Sequence, residues 1–348
     1  MSTPDPYIAL ALQTTCDAVN ADQTTEAARV RMAAAIARIR NQVIGSKRFI
    51  GQDVRLVVLP EYFLTGFPMG EPAGVWAEKA ALDIDGPEYQ ALGEIARVAD
   101  VFLGGNAYER DPHFPGLYFQ TSFLIAPSGE VVLRNRRLVS MFAPSPYDVY
   151  DRYVSIYGKD ALFPVADTEI GRISAISSEE ILYPEIGRAL AVRGAELIVH
   201  PTSEAASALP SPKNIAKQAR AIENLVYVVS ANSAGIDGIS IPRASTDGSS
   251  KVIDYRGLIL AEAGYGESMT GYAEIDIAGL RRYRRRPGMA NILSRQPMAL
   301  WAEAYADIEI QPRNSLIDQA GETVTPSAPW YAERQRRVIE GLADKGVI

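Results

Sequence analysis

Residues 171–188 read GRISAISSEEILYPEIGR. An apolar run, Ile173 to Ile176, gives way to two serines and two glutamates, and a Tyr-Pro-Glu turn follows. That order describes a buried strand carrying small hydroxyls and carboxylates to its carboxyl end, where α/β proteins place their chemistry. PEIGRALAVRG (184–194) continues with apolar residues at helical spacing and a proline in its first turn, and AELIVHP (195–201) is the next apolar strand. The unit is strand–turn–helix–strand. A nucleophile belongs at its turn, where Ser178 either is that nucleophile or marks a missing one.

Outward from this unit the alternation repeats. IALALQ (8–13), VRLVVLPE (54–61), VFLGGNAYER (101–110) and LVYVVSAN (225–232) read as strands. LYFQTSFLIAPSGEVVLRNRRL (117–138) reads as two strands joined by a Pro-Ser-Gly turn, and SSKVIDYRGLILAEAG (249–264) as a hairpin around Tyr255-Arg256-Gly257. TGYAEIDI (270–277) closes the series. Helices are expected over 24–40, 87–100 and 213–224. No linker interrupts this order, which predicts one domain over 1–280. Residues 281–348 hold a helical patch (297–308), a Gly/Thr/Pro/Ser stretch and a final charged helix. Such a tail cannot build its own core and is expected to pack on the domain or on a partner subunit.

The 348 residues are 47% apolar, enough for a large core, and the net charge of −7 argues against nucleic acid as a partner. RRYRRRP (281–287) is the basic exception, read as a solvated element end or subunit contact, with an anion site as the alternative. The N-terminal MSTPDPYIALALQ has no charged leader or long apolar core, so no signal peptide is expected. No apolar run approaches the ~18 residues of a membrane span. One cysteine, Cys16, excludes an internal disulfide and fits a reducing, cytoplasmic setting. Two separated histidines, His113 and His200, make a His-rich metal site unexpected. No cofactor is implied.

Polar residues concentrate at three strand ends. Glu61 closes the apolar strand in LPEYFLTGFP (59–68), Arg134, Arg136 and Arg137 end GEVVLRNRRLV (129–139), and Ser178 ends the third. A glutamate is costly to desolvate, so one at such a place needs a partner or a task. With these residues in view the chain resembles the nitrilase superfamily of carbon–nitrogen hydrolases over roughly residues 6–280. LPEYFLTG, GEVVLRNRR and SAISSEEILYPEIGR match its three motifs. RGAELIVHPTS (193–203), ARAIENLVYVVSANSAG (219–235) and GSSKVIDYRG (248–257) follow in compatible order. The resemblance implies an α/β, four-layer-forming αββα sandwich, a single domain plus C-terminal tail. It also implies a Glu-Lys-Cys triad acting on an amide or nitrile carbon. Carried over by position, the glutamate is Glu61, the lysine position holds Arg137 and the cysteine position holds Ser178. Where many members carry a second glutamate, this chain has Pro144 and Ser145. A small amide, nitrile or carboxylate is the implied ligand, and a homo-oligomer the implied assembly.

These replacements change the chemistry. A serine hydroxyl needs a well-aligned base where a thiol does not. An arginine fork closed on Glu61 would occupy the oxygens a base needs free. Weak or altered amidase chemistry and ligand binding without turnover both remain open, as does a role in assembly. Tyr62, Glu179, Glu180 and Tyr147 are the candidate substrate contacts. Glu179 and Glu180 serve equally as charges at a helix N-terminus. Asp148 and Asp151 are further candidates for the missing second acid, and Gln120 is expected to hold a backbone group.

Overall fold

Strands that are apolar at every position need cover on both faces. The computed structural model, which describes residues 4–205, 209, 211–327 and 329–348, supplies that cover as four layers. The first three residues of the N-terminal stretch lie outside the described residues.

The first sheet contains β1 (Tyr7–Ala11), β2 (Val54–Val58), β3 (Phe102–Arg110), β4 (Tyr118–Ile125) and β5 (Val131–Arg136). The second contains β6 (Ala166–Thr168), β7 (Gly171–Ala175), β8 (Leu197–Pro201), β9 (Tyr227–Ala231), β10 (Lys251–Ile253) and β11 (Ile259–Glu262). The last strand, β12 (Tyr272–Ile275), returns to pair with β1, giving the order β12-β1-β2-β3-β4-β5 beside β11-β10-β9-β8-β7-β6. In each sheet the middle is parallel (β1-β2-β3 and β7-β8-β9) and the edges antiparallel.

Period-two alternation sorts the side chains between layers. Leu56 and Val58 of β2, with Leu197 and Val199 of β8, fill the space between the sheets. Val57 points instead to α1 (Thr25–Ile50), α2 (Ala73–Ala80) and α3 (Pro87–Ala99), while Ile198 points to α5 (Pro184–Val192) and α6 (Pro212–Asn224). This is the expected αββα sandwich.

The differences from expectation have physical causes. α1 runs on to Ile50 because Val43 and Lys47 extend the buried face of Ile36 and Ile39 at the same spacing. α2, α4 (Tyr150–Tyr157) and α7 (Ile277–Arg284) were not expected. The arginine run belongs to α7 and is only partly a solvated end. Arg281 donates two hydrogen bonds to the buried Glu196 (2.6 and 2.9 Å), and Arg284 donates to the carbonyls of Ala195 and Leu225 (2.6 and 2.9 Å). After α8 (Met298–Ala306) the chain crosses α4. Leu316 is buried with Phe114, Phe119 and Tyr153, and α9 (Trp330–Asp344) follows. Asp148 accepts from Ser315 (2.7 Å) and from Arg334, and Asp151 accepts from Asn314 (2.8 Å). These two acids, candidates for the second carboxylate, hold the tail.

Candidate active site

Glu61 lies just beyond β2 and is 1% exposed. Its N–H donates to the Thr202 carbonyl (3.2 Å), which ties this turn to the end of β8 in the other sheet. From β4, Gln120 reaches the same point. Its amide nitrogen donates to Glu61 Oε1 (2.5 Å) and to Asn106 Oδ1 (3.1 Å), while its oxygen accepts from Arg137 Nη1 (2.7 Å). Gln120 therefore bridges two charged side chains, where the sequence suggested that it held a backbone group.

Arg137 follows directly on β5. Its Nε donates to the Val139 carbonyl (2.7 Å), its Nη2 holds Glu179, and its Nη1 lies 3.6 Å from Glu61 Oε1. The fork on Glu61 is not closed, because the guanidinium divides its donors among three partners. Burial works against its charge, but Tyr62, Glu61, Glu179 and Glu180 outweigh that and push it further up, so it stays cationic.

Ser178 opens the 3₁₀ turn Ser178–Leu182 directly after β7, with φ at 48°. A non-glycine residue held in the left-handed region is strained, and such strain gathers at functional turns. Two supports fix it. Glu180 caps the turn through the Ser177 N–H (3.2 Å) and also accepts from the N–H groups of Leu138 and Val139 (2.7 and 3.1 Å). It thereby joins the exit of β5 to the serine turn. Its two oxygens are thus shared among three main-chain donors. Burial pushes its carboxyl up to about 7, against the pull of Arg137 and the three N–H groups.

The second support is His200 of β8, whose Nε2 lies 2.8 Å from the Ser178 carbonyl and Nδ1 2.8 Å from Ser230 Oγ. A carbonyl only accepts, so Nε2 carries the proton. Burial, with Lys217 adding to it, pushes the imidazole down to about 3, so the ring is neutral and Nδ1 accepts from the Ser230 hydroxyl.

The Ser178 hydroxyl itself faces α6. Lys213, in the first turn, donates to Ser178 Oγ (3.1 Å). One turn later Lys217, fully buried, pairs with Glu204. Among the described residues no hydrogen bond joins Glu61 to Ser178. The structure thus brings Glu61 and Arg137 together through Gln120, and Arg137 to the serine turn through Glu179. The serine oxygen is given to a lysine.

Sequence reasoning missed His200, Lys213, Lys217 and Glu204. The one available signal was the spacing of Lys213 and Lys217, which places both on one face of α6. Tyr62, with φ at 60°, stacks on Tyr108 at a centroid distance of 5.6 Å; burial and then Glu61 push its phenol up, so it stays neutral. Tyr147 lines an open cavity of about 1060 Å³ together with Leu138, Val139, Tyr150 and Tyr183. Glu61, Arg137 and Ser178 do not line it. Cys16 is buried with Sγ 3.5 Å from the Glu61 carbonyl, and burial pushes its thiol up, so it offers no thiolate in place of the missing one. Among the described residues no group of three or more His, Cys, Asp or Glu side chains is placed to hold a metal.

Comparison with known proteins agrees with this architecture. The family model described as carbon-nitrogen hydrolase matches residues 14–285. Omega-amidase NIT2 of Bos taurus is 27% identical over 241 residues, 68% of this chain and 81% of that protein. A Pseudomonas protegens protein named for its position, the hydrolase in the pqqF 5′ region, is 30% identical over 254 residues, 70% of this chain and 82% of its own. Among solved structures, Saccharomyces cerevisiae Nit3 superposes with a TM-score of 0.62 at 21% identity, covering 82% of this chain and 94% of its own. An amidase from Nesterenkonia sp. AN1 in complex with butyramide gives 0.62 at 21% identity, covering 86% and 97%. These structural likenesses speak to the fold. By its motifs, its sandwich and the span of the family match, the chain belongs to the carbon-nitrogen hydrolases of the nitrilase superfamily.

Proposed function

We propose that the protein carries out a slow, amidase-type hydrolysis of a small amide, with Ser178 as nucleophile. The observation that carries this reading is the backbone at Ser178, a left-handed residue (φ 48°) at a strand-to-helix turn. That is the geometry that thrusts a nucleophilic oxygen out of an α/β sheet. Ser178 Oγ attacks the amide carbon, the Arg137 charge favours the developing oxyanion, ammonia leaves, and water releases the acyl group. Glu61 shares its Oε1 between Gln120 and Arg137. In this reading it orients those two side chains, and Tyr62 and Glu179 flank the substrate. The names of two relatives support a small amide: an omega-amidase, and an amidase whose structure holds butyramide.

The test is incubation with p-nitrophenyl butyrate and with butyramide, followed by intact mass and peptide mapping. A butyryl group on Ser178, absent from Ser178→Ala, is expected, with slow ammonia release from butyramide. No adduct and no ammonia would end the proposal.

A second reading, a non-hydrolytic binder of small carboxylates, is favoured by the two cations, Arg137 and Lys213, around the serine turn. It predicts saturable butyrate binding by calorimetry without turnover. In either reading we place the protein in the cytoplasm as a homo-oligomer of a 1–280 domain with a 281–348 tail. The exposed apolar residues of α8 (Leu300, Trp301, Tyr305) support self-association. Truncation at residue 285 should then lower the sedimentation mass beyond the loss of the tail itself.

A further inference from the structure

The serine nucleophile needs a proton acceptor, and among the described residues Glu61, the acid that the family resemblance implies as base, makes no hydrogen bond to Ser178. Glu61 Oε1 is held by Gln120 at 2.5 Å and approached by Arg137 at 3.6 Å. The side chain in hydrogen-bond contact with Ser178 Oγ is Lys213, at 3.1 Å.

We infer that Lys213 is the catalytic proton acceptor of this site, forming a serine–lysine dyad with Ser178 in place of the acid–thiol arrangement. The inference rests on the proposal that Ser178 is the nucleophile. Three further observations support it. Lys213 sits in the first turn of α6, beside Pro212, which sets its amine against the serine turn. Lys217, one turn along the same face, is the ion-pair partner of Glu204 Oε1. Among the described residues the hydrogen bond of Lys213 goes to Ser178, while Glu204 faces it without one. The third is His200, which faces the pair from β8 and is held neutral. The titratable and charged groups facing Lys213 are accordingly His200, Glu204 and Lys217.

The steps balance without a further reagent. Once deprotonated, the Lys213 amine accepts the Ser178 proton as Oγ bonds to the carbonyl carbon. The resulting ammonium gives that proton to the departing nitrogen as the carbon–nitrogen bond breaks and ammonia leaves. In the second half the amine takes a proton from water, whose oxygen attacks the acyl-serine, and returns it to Ser178 Oγ as the acid departs. This is general base and general acid catalysis by one group, and losing such a group slows a reaction by roughly 10²–10⁴-fold.

The experiment measures acylation of the full-length protein by p-nitrophenyl butyrate in the wild type, Lys213→Met, Lys213→Arg, Glu61→Gln and Ser178→Ala, with melting temperatures as a folding control. The expected result is wild-type acylation that rises with pH, with that rise and at least about a hundredfold of rate lost in both lysine variants. Added methylamine should partly restore Lys213→Met. Glu61→Gln should keep the pH dependence. An arginine variant that acylates like the wild type would reduce Lys213 to a fixed charge and overturn the dyad while leaving the serine nucleophile in place. Loss of the pH dependence in Glu61→Gln would return the base role to Glu61. Absence of any adduct in the wild type, matching Ser178→Ala, would remove the nucleophile and the dyad together. If Lys213→Met melts early, Lys213→Arg carries the decision.

Discussion

Two buried carboxylate–cation centres flank the serine turn, one on each sheet, and they are built differently. On the first sheet, Glu61 and Arg137 meet through Gln120, and the guanidinium also serves Glu179 and the Val139 carbonyl. On the second, Glu204 meets Lys217 directly, with Asn214 as the added acceptor for the ammonium, and Lys213 remains to contact Ser178. A planar guanidinium distributes its five donors and ties several elements together. A compact ammonium satisfied by one carboxylate leaves a neighbouring lysine available. The first centre is a clamp, whereas the second leaves an amine beside the Ser178 hydroxyl.

The largest expected effect breaks the second centre. Lys217 is 0% and Glu204 6% exposed at the side chain, and removing one partner leaves the other charged in a dry site. Lys217→Met should cost about 3–5 kcal/mol of unfolding free energy by urea denaturation. Because most of that loss is the stranded carboxylate, Lys217→Met combined with Glu204→Gln should recover more than half. An equal loss in the double variant would show that packing, and not charge, holds this corner.

The next effect is a pH profile. Glu180 titrates at about 7 against an ordinary 4.5, because it is buried. The native state then holds its proton where the unfolded chain has released it. This term of stability is full below pH 4.5 and falls by about 3 kcal/mol as pH rises to 7. His200 titrates at about 3 against an ordinary 6.5, again through burial. Its term is full above 6.5 and is lost as pH falls toward 3. Between 4.5 and 6.5 the two slopes oppose, so the wild type should vary little there. Glu180→Gln leaves the histidine slope alone, and its stability should rise with pH across that window. A flat variant would mean that neither group is buried in the way described.

Smaller again is the clamp itself. Gln120→Leu removes the two hydrogen bonds joining Glu61 to Arg137 but leaves the charges 3.6 Å apart and Arg137 on Glu179. A loss of about 2 kcal/mol is expected, below that of Lys217→Met. A larger loss would make Gln120, and not the ion pair, the centre of the clamp.

The difference between the two centres was only half visible in the sequence. Strand periodicity and turn residues exposed the alternating strands and helices, because strands buried on both faces leave nearly continuous apolar runs, and the family resemblance supplied the sandwich. Glu61 announced itself as a charge at an apolar strand end, while Arg137 stood beside Arg134 and Arg136 until the family motif singled it out. Lys213 did not, since in PKNIAKQARAIEN it reads like any lysine on a helix face. Its meaning depends on α6 packing against the serine turn, a contact between residues 35 positions apart. His200 was hidden in the same way, inside an apolar strand with partners 22 and 30 residues away. The arginine run misled because its composition suggested solvent, while Glu196 and two carbonyls on the second sheet needed its donors.

The smallest effect concerns the turn between the centres. Ser178 keeps a φ of 48° through Glu180, His200 and the contacts of its neighbours, which implies that the surroundings impose the conformation. A side chain in that region costs roughly 1–2 kcal/mol, and glycine avoids the clash while losing part of the gain to chain entropy. Ser178→Ala and Ser178→Gly both lose the hydroxyl and its contact with Lys213, so comparing them isolates the backbone. The glycine variant should be the more stable by about 0.5–1 kcal/mol, and neither should form an acyl adduct. Equal stabilities would place the strain elsewhere, and the turn would then be an ordinary one that happens to carry a serine. A clear advantage for glycine would show that the two centres hold residue 178 in a form that its own side chain disfavours, as expected where a reactive oxygen must be presented.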